Sequence, residues 1–216
     1  MKILSIALSI LCAASVLGHL AAEHSGNKIL RGVTKTLASL AFVATAWTLG
    51  AWGTPYGQVV MVALVLCAIG DVLLLGRATA AFLGGLGSFL LGHIALAVAF
   101  YRCGLAPGWL PTALFALGVV GGGVLRWLLP NVERKMQGPV LAYCAAITAM
   151  LAIAIATAGQ GTSVLVPLGA ALFYLSDLSV ARDRFVKPGF VNRIWGLPVY
   201  YASTLILAWS VQFVSR

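Results

Sequence analysis

Apolar residues run through this chain in long blocks, broken by short links rich in glycine, proline and charge. A helix needs about 20 apolar residues to cross a bilayer. Eight windows reach that length, near residues 3–21, 34–52, 58–75, 80–100, 109–128, 138–157, 163–181 and 193–213. Strand-like alternation is absent, so helices are expected rather than a membrane barrel. The links carry turn residues, as in Gly53 to Gly57, Gly104 to Gly108, Pro130-Asn131 and Lys187-Pro188-Gly189. Links this short make neighbours in sequence neighbours in space. The pattern therefore predicts an all-α, polytopic membrane protein, a bundle of eight transmembrane helices, with residues 1–216 forming a single integral membrane domain.

Composition agrees. The 216 residues are 61% hydrophobic and 9% charged, against about 25% charged in a soluble domain. The net charge of +9 would suggest nucleic acid in a soluble protein; here its distribution gives topology. With eight spans, one face carries Lys2, Arg102 and Arg216. The other carries Lys28, Arg31, Lys35, Arg77, Arg126, Arg134, Lys135, Arg182, Arg184, Lys187 and Arg193. Eleven basic residues against three, on short connections, place the basic face in the cytoplasm and both termini outside, with anionic headgroups as its partners. The first segment has features of a secretory signal, Lys2 followed by an apolar run. Cleavage there would strand Lys28, Arg31 and Lys35 outside, so it is read as a span.

The four cysteines, Cys12, Cys67, Cys103 and Cys144, show no paired spacing and read as small packing residues. Gly84, Ser88 and Gly92 recur every four residues, as do Gly118 and Gly122. Both stripes predict close helix contacts.

The chemistry-bearing residues are few. The chain has five acidic residues, and two of them, Asp71 and Asp177, fall inside spans. A charge at membrane depth costs about 2.5–3.5 kcal/mol or more, so each is a candidate functional group. Asp71 stands six residues before Arg77, and Asp177 five before Arg182. Both are thus roughly 7–9 Å inside the cytoplasmic boundary. Lys35 opens the second span and Tyr143 lies on the same level, while His93 is expected deeper, roughly 20 Å from that face. Each residue also has a plainer reading. Asp71 can be an ion-pair partner for Lys35 or Arg77, and Asp177 for Arg182. His93 can be a satisfied interior histidine, and Tyr143 a packing aromatic. No hydrolase elbow surrounds any serine. No phosphate loop or dinucleotide fingerprint occurs, and the histidines do not make a zinc set. No metal or cofactor is therefore expected.

Several segments carry a resemblance: Lys35-Thr36-Leu37, Gly70-Asp71-Val72-Leu73-Leu74, Ser88-Phe89 with Gly92-His93, Gly169 through Asp177, and Pro198-Val199-Tyr200-Tyr201. In their order and spacing the chain resembles the YhhN family of lysoplasmalogenases, eight-span membrane proteins that cleave vinyl ether lipids. It departs from the family in having Thr36 where a proline is common and Leu96 where a tyrosine is common; some members also replace the second aspartate with asparagine. The resemblance implies an intramembrane hydrolase acting on a lipid within the bacterial inner membrane. Asp71 and Asp177 would be catalytic, and Lys35, His93, Tyr143 and Ser176 would bind substrate, with Lys35 at the lipid phosphate. A small proton-coupled transporter using the same acids is the alternative, against which no inverted repeat is visible. A structural membrane protein with buried ion pairs is a third. Oligomeric state is left open.

Overall fold

The computed structural model describes residues 2–76 and 78–214. Eight long helices carry these residues, with no strand among them. They are α1 (Lys2–Ser25), α2 (Lys28–Thr48), α3 (Pro55–Leu73), α4 (Thr79–Tyr101), α5 (Trp109–Leu128), α6 (Arg134–Ala158), α7 (Leu165–Ala181) and α8 (Phe190–Ser210). Helices α1 to α6, and α7 together with the turn that continues it to Val186, are long and apolar enough to cross a membrane. Helix α8 has 21 residues but is diluted by Asn192, Ser203, Thr204 and Ser210. All four are buried, so its polarity faces protein rather than lipid.

Helix starts follow local chemistry. Asn27 caps α2, its side chain accepting from Leu30 N–H at 3.0 Å. Thr54 caps α3 in the same way through Gly57 N–H, with Pro55 in the first turn. Both caps satisfy amides that the helix leaves open. Because α2 begins at Lys28 rather than near residue 34, Lys28 and Arg31 lie on its first turn instead of in a loop, and Lys35 on its second turn instead of at its start. Lys35 is buried there. Helix α7 runs on through a π-helical turn, Arg182–Val186. Arg77 and Arg216, counted above for topology, lie outside the described residues.

Consecutive helices pack as pairs, α1 with α2, α3 with α4 and α7 with α8, and α6 packs between α4, α5 and α7. The α4 stripe is a true seam against α3. Ser88 donates to Leu66 C=O at 2.6 Å, and a methyl group on Gly92 would sit 3.2 Å from Cys67 Sγ. The α5 stripe is not a seam: nothing stands within 4 Å of a methyl group at Gly118 or Gly122. Helix α5 leans on the bundle through Ala113, Leu117, Gly121, Val124 and Leu128 instead. A helix turns one stripe inward, and Gly118 and Gly122 belong to the outward one. Cys12, Cys67 and Cys103 are buried among the helices and Cys144 is half-buried.

Candidate active site

The cavity that matters lies at the end of the bundle where α1 meets α2, α3 meets α4, α5 meets α6 and α7 meets α8. Its volume is about 460 Å³, within the ~300–1,000 Å³ usual for small-molecule sites. Apolar side chains make most of the wall, among them Leu86, Phe89, Val124, Ile147 and Leu178. Two of the carboxylates that line it come from within the spans, Asp71 from the last turn of α3 and Asp177 near the end of α7.

Asp71 is only 2% exposed, and among the described residues its polar side-chain contacts come from donors. Oδ1 faces Lys35 Nζ at 3.3 Å. Oδ2 accepts from Ser39 Oγ at 2.7 Å and from Tyr200 OH at 2.8 Å. Ser39 is one turn beyond Lys35, so a single face of α2 supplies both the cation and the hydroxyl. Its hydroxyl also lies 3.3 Å from Tyr201 OH. An ionised carboxylate accepts and cannot donate, and this shell is built of donors. Lys35, one of the two partners open to Asp71 in the sequence, meets it; the other, Arg77, lies outside the described residues.

Asp177 is held differently. Tyr143 OH donates to Oδ2 at 2.7 Å, and His93 Nε2 lies 3.1 Å from the same oxygen. Among the described residues Oδ1 takes no hydrogen bond, and the side chain keeps 15% exposure toward the cavity. His93 Nε2 is also 2.9 Å from Tyr143 OH, while its Nδ1 is buried without a partner among the described residues. The tautomer carrying hydrogen on Nε2 fits this arrangement, because Nδ1–H would be a buried orphan donor. The alternative pairing of Asp177 with Arg182 does not occur; Arg182 donates to Asn192 Oδ1 instead.

His93 was expected well below Asp177, yet the two are hydrogen-bonded. The reason is partly helix length. With α7 continuing to Val186, Asp177 lies nine residues in, or ~13 Å by helical rise. Tyr143 is likewise nine residues past Arg134, which brings all three side chains toward one level.

An aromatic wall joins the two carboxylate shells. The ring of Tyr200 meets Phe173 edge-on at 5.4 Å, and Phe173 meets His93 at 4.6 Å. Phe89 and Phe42 brace Tyr200 from the other side, at 5.8 and 6.3 Å. Ser176 is buried at the cavity wall, with its hydroxyl donated back to Phe173 C=O at 2.7 Å.

Nearer the mouth lies an ion-pair network that sequence reading missed. Glu23 faces Arg31 at 3.3 Å and also binds Arg193. Arg193 reaches Asp183 at 3.3 Å. Asp183 in turn accepts from Gly189 N–H at 2.8 Å and Asn192 Nδ2 at 3.0 Å, tying the π turn to the start of α8. The partners Ser39, Tyr200 and Tyr201 were missed as site residues as well. For Ser39 the four-residue spacing from Lys35 was the available signal.

Comparison with known proteins agrees with the segments quoted above. The YhhN family model matches residues 30–211. Lysoplasmalogenase TMEM86B of Homo sapiens is 32% identical over 178 residues, 82% of this chain and 74% of that protein. Lysoplasmalogenase TMEM86A of Bos taurus is 32% identical over 72% of this chain and 66% of its own length. A lysoplasmalogenase of Mycobacterium bovis is 30% identical over 90% of this chain and 74% of its own. No solved structure matches the chain.

Proposed function

Because the chain belongs to the YhhN family, we propose that it is an intramembrane hydrolase of the lysoplasmalogenase type, cleaving the vinyl ether bond of a single-chain ether lipid. The observation that carries this reading is two carboxylates with unlike surroundings facing one apolar-walled cavity. Vinyl ethers hydrolyse in acid through rate-limiting protonation of the β-carbon. The resulting oxocarbenium ion is captured by water, and the hemiacetal collapses to an aldehyde and an alcohol. The reaction needs a proton donor on one side of the alkene and a fixed negative charge near the cation. Pairs of carboxyl groups in different environments divide such roles.

Asp177 suits the donor. Its Oδ1 is open to the cavity, and Tyr143 and His93 hold its Oδ2 so that the open oxygen points one way. Asp71 suits the fixed charge, because Lys35, Ser39 and Tyr200 keep it an acceptor. After protonation, the Asp177 carboxylate can take a proton from the attacking water, as general acid and base exchange roles in successive steps. The substrate chain would lie against Phe89, Ile147 and Leu178, with Ser176 at the wall beside Asp177. The same reading puts the protein in a bacterial inner membrane with the basic face cytoplasmic and both termini outside, supported by the eleven-to-three charge asymmetry.

The test is aldehyde release from a lyso-vinyl-ether lipid by purified full-length protein. Release by the wild type and its loss in Asp71→Asn support the hydrolase; no aldehyde from any vinyl ether lipid overturns it. Solute counterflow that Asp71→Asn abolishes, with no aldehyde released by the wild type, would favour a proton-coupled carrier.

A further inference from the structure

A second hollow, of about 520 Å³, adjoins the mouth of the acid-lined cavity and shares its Glu23, Arg31 and Arg193 wall. Its polar lining sets four cationic side chains, Lys28, Arg31, Arg184 and Arg193, against one carboxylate, Glu23. Glu23 is already engaged by Arg31 and Arg193, so the hollow keeps an excess of positive charge. Arg31 donates from one terminal nitrogen to Leu75 C=O at 3.3 Å, while its Nε is buried with no partner among the described residues. Arg184 is held over the Phe82 ring, 4.1 Å from the centroid, with its guanidinium at the rim. Cationic forks around a hollow with spare donors are the chemistry that recognises phosphate.

Position agrees with charge. Lys35 is engaged by Asp71. Arg31 and Lys28 stand four and seven residues nearer the helix start, or roughly 6 and 10 Å further out. In a lysolipid the phosphate is separated from the vinyl ether by the glycerol backbone, a span of that order. We propose that this hollow is the phosphate subsite, holding the glycerophospho head group while the ether bond lies between Asp71 and Asp177. The identity of the lipid rests on the hydrolase reading; the phosphate chemistry of the hollow does not.

The test is equilibrium binding of 1-O-alkyl-lysophosphatidylethanolamine, which cannot be hydrolysed, to the full-length protein in uncharged detergent. The double variant Lys28→Gln, Arg184→Gln leaves the Glu23 network in place. It is expected to weaken binding about threefold to tenfold, while binding of the phosphate-free 1-O-alkylglycerol stays within about twofold. The charge-keeping pair Lys28→Arg, Arg184→Lys should restore affinity and so separates loss of charge from misfolding. Equal weakening of both lipids, or of neither, overturns the proposal. Glycerophosphoethanolamine should compete with the lipid better than inorganic phosphate does; the reverse order would overturn the assignment to a lipid head group. Aldehyde release from the alkenyl lipid is read separately: its absence removes the hydrolase reading, and the alkyl-lipid binding still decides the subsite.

Discussion

Lys35 Nζ lies 3.3 Å from Asp71 Oδ1, with both residues buried in the bundle. A buried pair of this kind brings its own counter-ion into low dielectric, and removing one partner leaves the other charged and unpaired. The pair is therefore a structural element and the setting of a catalytic group at once, and these roles separate by substitution.

Asp71→Asn should cost about 3–5 kcal/mol of stability by orphaning Lys35, and aldehyde release should fall by about 10²–10³-fold, the usual worth of a preorganised group facing transition-state charge. Adding Lys35→Met should return much of the stability, because an apolar side chain then replaces the orphaned cation. Activity should stay lost. Thermal unfolding and turnover measured on the same preparations separate the effects; activity returning together with stability would mean that the pair is only structural.

Asp177→Asn should leave the bundle nearly as stable as the wild type, since this residue is partly open to the cavity and an amide oxygen can still accept from Tyr143. Turnover should drop by about 10²–10⁴-fold, the usual worth of a general acid. Tyr143→Phe removes one hydrogen bond to the carboxylate, worth about 1.5–3 kcal/mol at most. It should slow turnover by about tenfold or more while binding of a non-hydrolysable lipid is kept. Equal losses of binding and turnover in Tyr143→Phe would count against its part in orienting the acid.

Gly196 tests the packing that sets the site. A methyl group there would overlap the Ser179 side chain across the α7–α8 seam, so Gly196→Ala should destabilise by about 1–3 kcal/mol. Gly118→Ala meets open space and should be neutral or stabilise by up to about 1 kcal/mol, as an alanine in a helix does. Unfolding midpoints in detergent decide; equal effects at the two positions would refute the seam assignment.

Topology is tested by labelling. A cysteine at Pro107, in the link after α4, should react with a membrane-impermeant maleimide in intact cells. A cysteine at Lys187, in the link before α8, should react only after permeabilisation. The opposite pattern would reverse the assignment of the basic face.

Much of the fold was legible in sequence because lipid imposes a simple rule: about 20 apolar residues per crossing, closed by turn residues. Helix ends were less legible. Lys28 and Arg31 look like loop residues by charge, yet Asn27 caps a helix ahead of them. The small-residue stripes show the limit of one-dimensional pattern. Gly92 and Gly118 sit in equally regular repeats, and only one of them faces a neighbouring helix.

Asp71 and Asp177 stood out in sequence by themselves, because a carboxylate in an apolar span is costly wherever it points. Their surroundings did not. Tyr200 is separated from Asp71 by 129 residues and His93 from Asp177 by 84, and a hydroxyl or ring in a span carries no mark of what it will meet. Sequence determined that the chain is a helical bundle with two acids inside it, since burial of apolar surface depends on composition along each segment. Only tertiary packing decided that one acid is wrapped in donors with a lysine and the other keeps an oxygen open to the cavity, because those contacts join different helices.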